Sequence, residues 1–318
     1  RDAEEALSWI AANDVTAPPG KLIYTQMLNS RGGIECDLTC ARLADDLYYI
    51  VTGTGFRTHD GAWIRQHLPE GLDAELVDVT EDYGTLSLFG PDARKVLAAV
   101  TDDAVGHDDF AFGTVKEITV AGHKVRAFRI TYVGELGWEL HMPIAATGDA
   151  FDALFAAGEQ YGISPAGYRA IESLRLEKGY RAWGADITPN DNPFEAGLGW
   201  AVKLKTNHPF LGRDAMERAK AEPLKKRLVC FTLDDPEIVL VGRETIYRNG
   251  VAVGYLSSGG FGYTLNQPIG YGYIKNNEGV SKEFIEAGDY ELEVATKRYP
   301  TKVHMKPLYD PQMQRIKR

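Results

Sequence analysis

The sequence predicts an α+β protein in two domains, the second of them a small β-barrel or sandwich. Three observations lead there. The chain has 318 residues, enough for two domains at roughly 150 residues each. Its first two thirds mix strand-like runs with helical periodicity. After "KAEPLKKRL" the texture turns to glycine-rich, strand-length apolar runs with little helical periodicity. These place the domains at 1–222 and 223–318.

The elements follow in order. Residues 3–13 are helical in pattern and "TAPPGK" breaks them off. Strands are expected at 22–28, 33–43 and 46–53, the first two joined by the turn "NSRGG". "GAWIRQHLP" reads as a short helix. In "YGTLSLFGPDARKVLAAVTDD" a strand leads through Pro91 into a helix with Val96, Leu97 and Val100 on one side. Residues 113–142 are β-rich. Helices are expected at 147–159 and 164–178, the latter with Ser164 as N-cap, Pro165 at N1 and a stop at Gly179. Beyond the boundary, "ETIYRNGVAVGYL" signals a hairpin with an Asn249–Gly250 turn.

Composition narrows the function classes. The apolar share is 44% and the charged share 25%, near the average of globular proteins. No stretch approaches the ~18 uninterrupted apolar residues of a helical membrane span. Lys plus Arg is 35 against 45 Asp plus Glu, a net charge of −10, which argues against a nucleic-acid partner because phosphate binding needs a basic face. Cys36, Cys40 and Cys230 form no disulfide framework and have no adjacent histidine to complete a zinc site, so they read as free thiols and no metal is expected. The N-terminus has neither signal-peptide nor transit composition and opens on a helix already under way. The polypeptide is therefore expected to extend upstream.

Four motifs bear on chemistry. "GTGFRT" (53–58) lacks the third glycine of a dinucleotide fingerprint and the βαβ unit around it, so it reads as a strand-to-helix turn. Along "RGGIECDLT", alternation puts Ile34, Cys36, Leu38 and Cys40 on one face and Glu35, Asp37 and Thr39 on the other. That polar face is either half-solvated or the lining of a cavity, where a carboxylate could accept a proton. In "TYVGELGWELHM", Glu139 lies opposite Trp138 and Leu140, either as a surface residue on an edge strand or as an acceptor for the paired N–H groups of a heterocycle. The helix containing Arg169, Glu172 and Arg175 reads as an exposed ion-pair ladder, with Arg175 the candidate fork for an anionic ligand group.

The segments "YTQMLNSRGGIECDLT", "ITYVGELGWELHMP", "IESLRLEKGYRAWGADITPNDNPFEAGLGWAVKLK" and "FLGRDAM" together resemble the aminomethyltransferase (glycine-cleavage T-protein) family. With "KRLVCFTL", "IYRNGVAVG" and the end "YPTKVHMKPLYDPQMQRIKR", the resemblance is closer to the C-terminal folate-binding half of sarcosine and dimethylglycine dehydrogenases. It implies the T-protein folate-binding fold with a C-terminal small β-barrel. It implies tetrahydrofolate as cofactor, taking up a one-carbon unit from a methylated amino acid as 5,10-methylenetetrahydrofolate, and FAD on an upstream oxidoreductase domain. The family's acid matches Asp37, its pterin-holding pair matches Tyr132 and Glu139, and Arg175 falls in a ligand-linked segment. The implied location is the cytoplasm in a bacterium and the mitochondrial matrix in a eukaryote. A stand-alone glycine-cleavage aminomethyltransferase and a non-catalytic regulatory relative remain the alternatives.

Overall fold

The computed structural model describes all of residues 1–318. Helix α1 (Ala3–Ile10) precedes β1 (Leu22–Leu28), β2 (Ile34–Ala44) and β3 (Leu47–Val51), followed by α2 (Arg57–His67). Next come β4 (Tyr83–Phe89), α3 (Ala93–Ala98), β5 (Val115–Val120), β6 (His123–Phe128), β7 (Gly137–Pro143), α4 (Thr147–Gly158), α5 (Tyr168–Lys178) and α6 (Arg213–Ala221). The last third holds β8 (Lys226–Thr232), β9 (Thr245–Arg248), β10 (Val251–Gly262), β11 (Gln267–Lys275), α7 (Lys282–Glu286), β12 (Tyr290–Val294) and β13 (Lys297–His304). No helix is long and apolar enough to cross a membrane.

Three sheets organise these elements. β1-β2-β3 form one, β4-β7-β6-β5 a second, and β10-β11-β8-β13-β12-β9 close into a barrel. Closure leaves no unpaired strand edge, which is why so short a segment can be rich in glycine and still fold. The apolar face of β2 meets α1 and α2 around Leu7, Ile10, Met27, Cys36 and Ile64. The second sheet buries Trp138, Leu140 and Val125 against α3 and α4. Gly137 is required where β7 crosses β4, since a Cβ there would lie 2.1 Å from the Leu88 carbonyl oxygen.

Most expected elements are found within a few residues of their predicted bounds. The expected helix 164–178 is shorter. α5 begins at Tyr168 behind Gly167, which is extended and makes no side-chain cap. Residues 164–167 are all exposed, so no packing supports a further turn before Tyr168, and helix stability comes mainly from packing. "GTGFRT" proves to be the turn that delivers β3 into α2.

The exposed ion-pair ladder is corrected outright. α5 buries Ser173, Arg175, Glu177 and Lys178. It does so because each finds a partner in another part of the chain. Ser173 Oγ donates to the Phe261 carbonyl at 2.6 Å. Glu177 Oε1 accepts the backbone N–H groups of Thr264 and Leu265 at 2.8 and 3.0 Å. Lys178 Nζ lies 3.0 Å from Asp310 Oδ2. Gly179 ends the helix at φ +73°, the left-handed cap that glycine adopts without strain.

Arg175 is 0% exposed. Its guanidinium donates to Glu172, to Asp186 Oδ2, to the Tyr180 carbonyl at 3.1 Å and to Ser258 Oγ on β10 at 2.8 Å. Burial alone would lower its pKa, but Asp186 and Glu172 outweigh that and hold it above the ordinary value. Removing one member of such a pair leaves a buried charge uncompensated, at about 3–5 kcal/mol. Arg175→Leu is expected to lower the unfolding free energy of the chain by that amount, measured by urea denaturation. A loss below about 1 kcal/mol would show that Asp186 is adequately held by Ser257 and the Ala182 N–H.

Candidate functional site

The polar face of β2 is built by register. Gln26 pairs with Asp37 and Tyr24 with Thr39 across the β1–β2 ladder, so all four project from one side. The opposite side carries Ile23 and Met27 into the core. Asp37 thus stands on a strand held flat by its apolar neighbours, with its carboxyl among polar groups. Gln26 Nε2 donates to Asp37 Oδ1 at 3.1 Å.

Burial lifts the Asp37 pKa from 3.8 to about 6. Hydrogen bonding from Tyr24 and Gln26 and the charge of Arg181 pull it down, while the charge of Asp60 pushes it up. Asp37 nevertheless keeps some accessible area. The carboxyl is thus crowded by protein on most sides yet still touches solvent, at a partly enclosed polar recess on this face of β2.

Tyr132 enters the same neighbourhood from the loop before β7, and the charge of Asp37 acts on it. The Thr131 hydroxyl accepts the backbone N–H groups of Val133 and Gly134 at 3.1 Å, folding the loop tightly. Gly134 sits at φ +76° against Lys178, with no room for a Cβ. The Tyr132 hydroxyl donates to the Arg181 carbonyl at 2.9 Å, and its ring stacks on Tyr180 at 6.0 Å and 12°. The Tyr132 phenol is therefore fixed by α5 and its C-terminal turn. Burial raises its pKa.

Glu139 is on β7, between β4 and β6, and so is not on an edge strand. Alternation holds: Trp138 and Leu140 are buried while Glu139 is half-buried. Its Oε2 lies 3.7 Å from Nε2 of His141, which is otherwise unpartnered. No contact joins Glu139 directly to Asp37 or Tyr132. Arg175 offers no free fork to an anion, because its N–H groups are all engaged inside the chain. It is corrected here from ligand contact to a residue that fixes the turn carrying Tyr180 and Arg181.

Sequence reasoning passed over several neighbours. Tyr24 and Gln26 could have been found by extending alternation to "LIYTQML". Arg181 and Asp60 lie on a loop and a helix with no periodic signal toward the site. Trp200, 69% exposed, stacks on Tyr24 at 5.6 Å and 27°, a contact that only the fold reveals. Cys36, His59 and Asp60 bring one potential ligand atom each within 4.8 Å of one another. There His59 Nδ1 lies 2.8 Å from Asp60 Oδ1, and burial together with the Asp60 charge drives the Cys36 thiol pKa up.

A carboxyl with a raised pKa costs stability wherever it is ionised. Between pH 4 and 6 the folded chain binds more protons at Asp37 than the unfolded chain does, so stability falls as pH rises through that window. Asp37→Asn removes the penalty and keeps the shape. The variant is expected to be more stable than the parent at pH 7, by up to about 3 kcal/mol, with the gap closing below pH 4. Denaturant melts at pH 4 and 7 check this, and a variant no more stable at pH 7 would show the carboxylate to be well solvated.

Comparison with known proteins gives concordant results. The GCVT N-terminal domain family matches residues 1–206, and the glycine cleavage T-protein C-terminal barrel domain family matches residues 226–310. The chain is 43% identical to mitochondrial sarcosine dehydrogenase of Mus musculus, over 99% of this chain and 36% of that protein. It is 35% identical to mitochondrial dimethylglycine dehydrogenase of Homo sapiens, over 97% of this chain and 35% of that one. It thus spans about a third of the length of these curated relatives. The crystal structure of glycine cleavage system aminomethyltransferase T from Bartonella henselae superposes with a TM-score of 0.85 at 26% identity, covering 98% of this chain and 82% of that one.

Proposed function

The chain belongs to the glycine cleavage T-protein family, and from that membership we propose that it binds a reduced folate beside Asp37. We further infer that it works as the folate-binding part of a flavin-dependent sarcosine or dimethylglycine dehydrogenase. Tetrahydrofolate, when bound, supplies the amine nitrogens that take up the one-carbon unit. Oxidation of the methylated amine belongs to a flavin-bearing domain or subunit. The reading is supported by identity to both dehydrogenases along nearly the whole chain. In a eukaryote it places the protein in the mitochondrial matrix.

The observation that carries the reading is Asp37 itself, a carboxyl with a pKa of about 6, facing a recess next to a tyrosine fixed from two sides. At pH 7 it is mostly ionised and able to receive a proton, the role of a general base. Its negative charge also stabilises a cationic carbon unit nearby. Tyr132 is held in place before any ligand arrives, so little ordering cost falls on binding. Glu139 offers carboxylate oxygens to paired N–H donors from a central strand that cannot shift. Arg181 keeps positive charge close to Asp37.

Calorimetry with a reduced folate analogue tests binding on this chain alone, and a folded sample that binds none would overturn the reading. Asp37→Ala in the complete enzyme is expected to spare flavin reduction. It should lower methylene transfer to folate by ~10²–10⁴-fold, the contribution of a positioned acid or base, while free formaldehyde rises. Equal loss of both activities would make Asp37 structural. Glu139→Gln is expected to weaken folate binding by about 1.5–3 kcal/mol, and unchanged affinity would remove Glu139 from the site. The likeness to the aminomethyltransferase structure favours a second reading, transfer from a lipoyl-carried aminomethyl group. Turnover of that donor by this chain without any flavin domain would establish it instead.

A further inference from the structure

Gln26 is the residue of the recess that neither the family resemblance nor the comparisons single out. It is 0% exposed, yet its Oε1 has no hydrogen-bond partner. The amide cannot be turned to satisfy both ends. An ionised carboxylate only accepts, so Nε2 must face Asp37 Oδ1, at 3.1 Å, and Oε1 is left bare. A buried acceptor without a partner is rare and destabilising. Here it stands one strand away from a carboxyl that is itself destabilising when ionised. Two such groups side by side mark a place where a donor-rich molecule completes the hydrogen bonding.

We propose that Gln26 is a positioning residue: its Nε2 holds one oxygen of Asp37 in place, and its Oε1 receives an N–H of the bound ligand. The proposal rests on the folate reading above and deepens it. A reduced pterin carries several N–H groups on one planar frame, so an amide oxygen and a neighbouring carboxylate can each take one. With Nε2 on Oδ1, the other oxygen, Oδ2, is the freer to receive a proton.

The titratable and charged groups that act on Asp37 are Tyr24 on β1, Asp60 on α2 and Arg181 from a loop, while Cys36 on its own strand and the Tyr132 phenol lie within reach of its charge. Of these Asp60 opposes ionisation and Arg181 favours it, while the Gln26 N–H also favours it. Loss of that N–H therefore moves the Asp37 midpoint upward, an effect that a merely space-filling side chain would not produce.

The experiment compares the full chain with Gln26→Leu, which is close in shape and lacks both polar atoms. Circular dichroism establishes folding, calorimetry reads reduced-folate affinity, and infrared titration of the ligand-free chain follows the protonated carboxyl band of Asp37, assigned by its loss in Asp37→Asn. The expected result is roughly tenfold weaker folate binding together with an upward shift of the carboxyl midpoint. A folded Gln26→Leu with parental affinity and parental midpoint overturns the proposal. Should Gln26→Leu not fold, Gln26→Glu keeps the side-chain length and sets two carboxyls face to face. It is expected to raise the midpoint further, and an unmoved midpoint overturns the proposal. If the parent chain binds no reduced folate, the folate reading has failed and the ligand half of this proposal falls with it. The infrared midpoint then still decides whether Gln26 governs Asp37.

Discussion

The architecture hangs on the buried charges of α5. One helix of the first domain sends Arg175 to Ser258 of the barrel, Glu177 to the backbone at Thr264 and Leu265, and Lys178 to Asp310 of the tail. Arg175 and Lys178 are paired with carboxylates, and Glu177 is held through one oxygen by two backbone N–H groups, as burial demands. The result is directional in a way an apolar seam would not be. An oily helix can slide by a fraction of a turn and lose little, whereas a helix whose polar atoms each have a distant partner has one register. That register then fixes the turn at Gly179, and through it Tyr180, Arg181 and Tyr132.

The recess is built on the opposite principle. Where α5 satisfies most of its polar groups, β1 and β2 leave theirs partly unsatisfied: Asp37 with its raised pKa and Gln26 with its bare oxygen; on β7, in the neighbouring sheet, His141 Nε2 is likewise unpartnered beside Glu139. Groups left wanting by the fold are groups that a ligand can satisfy, and the protein carries the stability penalty to keep them so. A well-paired helix next to an under-satisfied pair of strands is a means of concentrating that penalty in one place.

What could be read from sequence follows from this contrast. Period-two alternation along residues 34–40 matches the burial of β2, with Asp37 on its less buried face, because a strand with one buried face must put its remaining side chains together. The barrel was legible from glycines and the Asn249–Gly250 turn, since hairpins have local chemistry. The burial of Arg175 was not. Its i, i+3 spacing to Glu172 is that of a surface ladder, and its decisive partners lie at Asp186 and, 83 residues away, Ser258. Ser164 and Pro165 carry good helix-start chemistry, but no tertiary surface waits there to be covered. The proximity of Tyr132 to Asp37 was likewise invisible to spacing, because it is made by a loop folded on Thr131 and pinned by a helix that begins 36 residues further on.

One feature outside the hydrogen-bond network has an optical meaning. Trp200 is mostly in solvent, but its ring lies on Tyr24, whose hydroxyl belongs to the surroundings of Asp37. Of the five tryptophans, Trp138 is sealed inside a core, while Trp200 has water on one side and the wall of the recess on the other. Its emission is therefore sensitive both to quenchers in the solvent and to whatever displaces or crowds Tyr24. The protein carries its own fluorescent gauge of the recess, at a position where no label has to be introduced.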